Sequence, residues 1–216
     1  MKILLLGATG RTGILILEQL IQRGHSVNIL VRDRRKVKLD SEAVNVFEGS
    51  TLDINLLGTA MKGCCAVISA LNISRKNDFP WSALRTPPNL LSATMKNVIK
   101  LLGQFEIKRV IIISAWGVNE TRKDIPAWFR LIIDNSNIAP AYTDHALQEA
   151  TLAATDLYWT AIRPVVLTNF STKKVKVSIG NKPKPGLLIS RKSVATFAVD
   201  ILEQAEFIGL SPVIFN

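Results

Sequence analysis

The chain has 216 residues, 48% of them hydrophobic and 20% charged, with a formal net charge of +10. That length suffices for one folded unit with a full core, and the composition excludes a disordered chain. No apolar stretch approaches the roughly 18 residues of a membrane span, and the opening "MKILLLG" is too short for a secretory leader, so a cytoplasmic protein away from membranes is expected.

Apolar runs of strand length alternate with helical patterns, which is the rhythm of a parallel sheet covered by helices. Lys2 to Leu6 reads as a first strand, and Arg11 to Gln22 as a helix with Ile14, Leu17, Leu20 and Ile21 on one face. "VNILV" (Val27 to Val31) is a second strand, "AVNVFEG" a third, and "DINLLGTAM" a short helix. "AVISAL" (Ala66 to Leu71) is the fourth strand, followed by the helix "NLLSATMKNVIKLL". "RVIIISA" (Arg109 to Ala115) has the continuous apolar run of a strand buried on both faces. A helix is expected over Thr143 to Ala154, a sixth strand at "YWTAIRP" ending at Pro164, and a hairpin around "KPKPG". A helix near Lys192 to Gln204 and a last strand "PVIF" complete the pattern. The expected fold is a single α/β domain over residues 1–216, a doubly wound parallel sheet of Rossmann type. Two long connections, Asn72 to Pro88 and Trp116 to Tyr142, follow strand ends where open sheets bind ligands. With residues 168–190 they form the expected substrate side.

"LLLGATGRTG" places Gly7, Gly10 and Gly13 between the first strand and the first helix. A first glycine permits a tight turn, a middle one lets backbone approach a pyrophosphate, and a third lets helix and strand pack closely. The helix start then offers free N–H groups to the anion. The spacing is G-x-x-G-x-x-G rather than the usual G-x-G-x-x-G, and the strand–loop–helix–strand context supports dinucleotide binding over a plain tight turn. The second strand ends in "VRDRRK": Arg32, Arg34, Arg35 and Lys36 against the lone acid Asp33. That balance favours NADP(H), with its 2′-phosphate, over NAD(H); the alternative is an exposed basic turn.

The positive charge alone does not make a nucleic-acid partner, because no zinc-finger spacing or recognition motif accompanies it. Cys64 and Cys65 are adjacent and lack companions at metal-ligand spacing, so they read as small hydrophobes, and no metal site is expected.

"GATGRTG", "VRD", "ISAWG" and "WTAIRP" resemble the atypical short-chain dehydrogenase/reductases over nearly the whole chain. More narrowly the chain resembles the NmrA-like NAD(P)H-binding group, which includes the biliverdin reductase B/flavin reductase family. By that resemblance Gly7, Thr9, Gly10, Arg11 and Thr12 would cradle the pyrophosphate, and Arg32 and Arg35 would hold the 2′-phosphate. Ser50 and Thr51 would lie near the adenine, although related proteins usually carry an aspartate where Ser50 stands. Ala70 and Leu71 would line the cofactor, Ser114 would sit beside the nicotinamide, and Pro164, Val165 and Val166 would cover its far side.

Short-chain dehydrogenases commonly use a tyrosine as general acid, with a lysine four residues later on the same helix face. Tyr142 is present, but residue 146 is alanine, and no lysine lies between Lys123 and Lys173. Reducing a ketone requires a proton at the developing alkoxide, whereas a flavin or quinone takes hydride into a conjugated ring and draws protons from water. The incomplete pair therefore points to a small planar acceptor of the second kind. The pair Asp144-His145 adds to the flavin reductase likeness. Ser114 either donates to a bound ring or caps its strand; His145 either relays a proton or is a partly exposed helix histidine. Trp116, Trp128, Phe129 and Tyr142 either wall a pocket or fill core. Two other readings stand beside the reductase. One is a non-catalytic NADP(H)-sensing regulator of the NmrA-like kind; the other is a carbonyl reductase using Tyr142.

Overall fold

The computed structural model describes residues 1–170 and 174–216. The chain begins β1 (Lys2–Leu6), α1 (Gly13–Gln22), β2 (Ser26–Val31), β3 (Val44–Glu48), α2 (Ile54–Met61), β4 (Ala66–Ser69), α3 (Leu90–Leu102) and β5 (Arg109–Ile113). It continues α4 (Ala127–Asp134), α5 (Ala139–Ala153), β6 (Tyr158–Pro164), β7 (Val166–Thr168), β8 (Lys176–Ser178), β9 (Leu188–Ser190), α6 (Arg191–Glu203) and β10 (Val213–Phe215).

Among the described residues the main sheet runs β3-β2-β1-β4-β5-β6-β10-β8, parallel except where β8 meets β10. Parallel neighbours need crossovers, and here most crossovers carry an α-helix, the β2–β3 connection holding only a short 3-10 turn at Arg34–Lys36, so both faces are covered. The pleat sorts the apolar runs. Ile3, Leu5, Val27, Ile29, Ile68, Ile111 and Ile162 pack under α1 and α6. Leu4, Leu6, Val67, Val110 and Ile112 pack under α2 and α3. Each such side chain contributes about 1.5–3 kcal/mol on burial, and this tertiary packing holds α1, whose start no side chain caps. The result is the expected doubly wound α/β fold of Rossmann type. Strand order reverses between β1 and β4, and ligands of such sheets bind in the crevice beyond the carboxyl ends there.

Arg109, at the amino end of β5, pins the opposite edge. Its Nη1 donates to the Tyr158 carbonyl (2.9 Å) and Thr160 Oγ1 (2.8 Å), and its Nη2 to the carbonyls of Ile201 (3.1 Å) and Glu206 (2.9 Å). Burial lowers its pKa to about 10.

Three elements differ from expectation. The connection from Trp116 to Tyr142 contains α4, whose "AWFRLIID" follows Pro126, a residue that suits a helix start. The next helix starts at Ala139 instead of Thr143, because Pro140 is tolerated in a first turn, and Tyr142 is therefore helical. The hairpin around "KPKPG" is absent among the described residues. The chain reverses earlier, at Ile179–Lys182, where Gly180 and Asn181 have φ of 58° and 63°. The flanking strands then part, β8 to β10 and β9 to β7. The expected substrate-side segment 168–190 includes residues 171–173, which lie outside the described residues.

Candidate functional site

The glycine loop is set by backbone meeting backbone. Gly7 ends β1 with φ +82°, and a Cβ there would stand 2.7 Å from Ala70 backbone atoms. At Gly13 a Cβ would stand 2.0 Å from the Gly7 carbonyl oxygen. Gly10 is different: it donates to the Gly7 carbonyl (2.9 Å), a Cβ there would approach only that oxygen at 3.2 Å, and Thr9, Gly10 and Arg11 are exposed. The outer side of the loop is thus bare backbone, and α1 begins beside it with no side-chain cap and no acid in its first turn. By contrast, Asp53 caps α2, Ser190 caps α6, and Asp144 of α5 reaches across to accept from the Leu91 and Ser92 N–H groups of α3. An open helix start beside exposed glycine backbone suits an anion, so the loop fits the pyrophosphate of a dinucleotide.

Two of the cations around the loop, Arg11 and Arg35, have carboxylate partners of their own. Arg11 donates from Nη1 and Nη2 to both oxygens of Asp78 (2.8 and 2.9 Å), bridging the loop to the connection after β4. The Arg11 hydrogen bonds hold Asp78 below the usual carboxylate range. Arg191, the first residue of α6, is lowered by burial and then by the Arg11 charge. At the tip of β2, Arg35 donates to Asp33 from Nε (2.9 Å) and Nη2 (3.2 Å), and its own N–H donates to the same carboxylate (3.1 Å). Arg32 is exposed and has no hydrogen bond or ion pair among the described residues. Ser50 is exposed, and its Oγ accepts from the Leu52 N–H (3.1 Å). Thr51 is buried, its hydroxyl paired with that of Thr94 (2.7 Å). Ala70 and Leu71 are half-buried; Pro164 and Val165 are buried, and Val166 is exposed.

Beyond β5 the polar groups form a buried network. The Ser114 hydroxyl donates to Glu149 Oε1 at 2.5 Å. Glu149, from α5, also accepts from Arg163 Nε (3.1 Å) and Nη2 (2.6 Å) and from Asn119 Nδ2 (2.8 Å). The Arg163 and Glu149 side chains are 2% and 3% exposed, and Arg163 pairs further with Glu120. Burial alone would lower Arg163, but the hydrogen bonds it donates to the two carboxylates, with their charges, outweigh burial and raise its pKa. A cavity of about 360 Å³ lies against Glu120, Glu149 and Arg163.

The remaining candidates take more internal positions than the sequence implied. The Tyr142 hydroxyl donates to the Trp116 carbonyl (3.3 Å), and burial pushes its pKa up to about 12. His145 is 3% exposed rather than partly exposed, because α5 turns that face toward α3 and the sheet. Burial outweighs the nearby Glu149 and Asp144 charges and lowers its pKa to about 4. Its Nδ1 has no hydrogen-bond partner among the described residues. Trp116 is buried, Phe129 half-buried, and Trp128 58% exposed. Outside the expected set, Trp81 donates from Nε1 to the Asn135 carbonyl (2.6 Å), while Asn137 Nδ2 donates to the Trp81 carbonyl (2.9 Å). These bonds stitch the two long connections together. The sequence singled out neither Arg163 nor Asn119; the arginine of "WTAIRP" inside an otherwise apolar strand was the one available signal.

Fold and loop together define a nucleotide-binding protein of Rossmann type. The family described as NAD(P)H-binding matches residues 7–205, and the chain belongs to it. It is 28% identical over 170 residues to oxidoreductase GME11367 of Pestalotiopsis microspora, covering 73% of this chain and 63% of that protein. It is 30% identical over 156 residues to oxidoreductase tpcG of Aspergillus fumigatus, covering 68% and 57%. The chain thus spans about three fifths of the length of these curated relatives. Among solved structures it resembles ChuY, an anaerobillin reductase from Escherichia coli, with TM-score 0.81 and 18% identity over 100% of this chain and 97% of that one. It also resembles a short-chain dehydrogenase/reductase from Veillonella parvula in complex with NADP, with TM-score 0.79 and 20% identity over 100% and 94%. At those identities the likeness is one of fold.

Proposed function

We propose that the protein is an NADPH-dependent oxidoreductase that passes hydride to a planar acceptor such as a flavin or quinone. One observation carries this reading: among the described residues, none of the three candidate acids beyond β5 is set to give up its proton. The Ser114 proton is held by Glu149, the Tyr142 hydroxyl is bonded to a carbonyl with its pKa at about 12, and His145 is neutral with its pKa at about 4. A ketone needs an acid at that place; a conjugated acceptor draws its proton from water.

In this reading Gly7, Thr9, Gly10, Arg11 and Thr12 hold the pyrophosphate. Arg32 takes the 2′-phosphate, joined by Arg35 once it leaves Asp33. Thr51 meets the adenine through its backbone, since its hydroxyl is paired with Thr94; Ser50 lies beside it. Ala70 and Leu71 line the cofactor, Ser114 borders the nicotinamide, and Pro164 to Val166 close the far side. When bound, the reduced nicotinamide supplies the hydride, two electrons with one proton. The connections 72–88 and 116–142, with residues 168–190, bind the acceptor and exclude water. The oxidoreductase names of the two curated relatives and the reductase name of ChuY support the class of reaction. Four cations against Asp33 at the tip of β2 support NADPH.

The test is NADPH consumption, followed by absorbance, with free flavin and with a simple quinone, beside calorimetric titration with NADPH and NADH. Turnover with either acceptor and tighter NADPH binding are expected. Tight binding with no turnover would instead support the NADP(H)-sensing regulator. Turnover confined to aldehydes and lost in Tyr142→Phe would support a carbonyl reductase.

A further inference from the structure

Resting on the reductase reading, we propose that Glu149 is a positioning residue that fixes Ser114 as a hydrogen-bond acceptor toward the bound acceptor molecule. The protein then selects planar acceptors that carry a ring N–H, as flavins do, over those whose only polar groups are carbonyls, as in simple quinones.

A serine hydroxyl has one proton and two lone pairs. In Ser114 the proton points at Glu149 Oε1, 2.5 Å away, in a short bond to a charged partner. Glu149 cannot turn aside. Its oxygens receive Arg163 Nε and Nη2 and Asn119 Nδ2 at 3.1, 2.6 and 2.8 Å, and Arg163 is itself held by Glu120. Rotating the Ser114 proton toward a ligand would strip a donor from a buried carboxylate, which is unfavourable. What Ser114 can offer a ligand is a lone pair.

The strand register sets Ser114, itself 5% exposed, at the same carboxyl edge as the glycine loop. Leu6 pairs with Ser69 and Ser69 with Ile112, so Gly7, Ala70 and Ile113 stand at one level of the carboxyl edge, with Ser114 one residue further. Neighbouring strands are about 4.8 Å apart, which sets Ser114 about 10 Å along the edge from the glycine loop. An N–H facing Ser114 Oγ is bonded there, whereas a carbonyl oxygen meets another lone pair. A dihydronicotinamide held by the glycine loop would supply the hydride, which would form an N–H bond at flavin N5. Water supplies the second proton, the flavin is reduced by two electrons, and oxidised nicotinamide remains. Ser114 and Glu149 exchange no proton in this step.

The experiment compares lumiflavin with 3-methyllumiflavin, in which a methyl group replaces the N3 proton. Binding is read without nucleotide by quenching of flavin fluorescence, and reduction by NADPH consumption. Wild-type protein is expected to favour lumiflavin by about tenfold or more in affinity and in kcat/KM. In Ser114→Ala the ratio should fall to about one, which separates hydrogen bonding from the bulk of the methyl group. Glu149→Gln can donate to Ser114, freeing the serine proton, and should move the ratio the same way while raising turnover with the quinone relative to lumiflavin. Equal treatment of the two flavins by wild type, or a ratio that survives Ser114→Ala, would overturn the proposal. Absence of turnover with every acceptor would overturn the reductase reading instead, while the binding ratio would still decide the role of Ser114.

Discussion

The two ends of the carboxyl rim handle their charges in opposite ways. Around β1 and β2, charged groups are exposed, the start of α1 is uncapped, and Arg11 and Arg35 rest on surface carboxylates. Around β5 and β6, Arg163 and Glu149 are buried, with only Glu120 at the surface, and each oxygen of Glu149 is met by donors from the chain itself. Exposed pairs in water are worth little and exchange partners easily. A buried, saturated cluster is stiff and is strongly destabilised when one member is removed. The first end is therefore suited to receive an anion, and the second to hold a fixed pattern of donors and acceptors against a neutral ring.

Breaking the buried end should have the largest effect. Glu149→Ala strips Arg163 of its buried carboxylate partner and leaves it only the exposed Glu120, and a loss of about 3 kcal/mol is expected in chemical denaturation. Asp33→Ala at the exposed end should move the same curve by no more than about 0.5 kcal/mol.

Next comes acid. His145 has its folded pKa lowered to about 4 from an ordinary 6.5. As pH falls, the unfolded chain takes up this proton first, so the neutral imidazole contributes fully above pH 6.5 and its contribution is lost on descent toward pH 4. The loss should be on the order of 3 kcal/mol across that window, and denaturation curves of His145→Gln should lack this slope.

The glycine loop sharpens the contrast further. Gly10→Ala meets only one oxygen at 3.2 Å, so stability should stay within about 0.5 kcal/mol of wild type while calorimetry shows NADPH binding weakened about tenfold or more. In Gly13→Ala, with its 2.0 Å approach to the Gly7 carbonyl, fold and binding should fail together. The smallest effect belongs to Asp78→Ala. It releases Arg11 from an exposed pair, and NADPH affinity should rise about threefold.

The sheet was legible in the sequence because strands buried on both faces must be apolar throughout, and "RVIIISA" can be little else. The glycine loop was legible because its constraint is local. The KPKPG hairpin and the α4 loop misled for a shared reason: proline marks a break without saying what begins after it. The network around Glu149 was hidden because its members come from α5, β6 and the turn after β5, and no spacing along the chain reveals which of them meet. Asp144-His145 looked like a motif of chemistry, yet Asp144 serves as the cap of α3.

The indole bond from Trp81 to the end of α4 has an optical corollary. Trp81 stands three residues from Asp78, whose partner Arg11 belongs to the phosphate loop. On the proposed binding mode, a nucleotide that recruits Arg11 would free Asp78 and loosen the segment bearing this indole, against which Phe79 packs at a tilt with centroids 5.2 Å apart. Tryptophan emission is therefore expected to change as the crevice fills, and Trp81→Phe, which leaves the other three tryptophans in place, should remove the share of that change this indole carries.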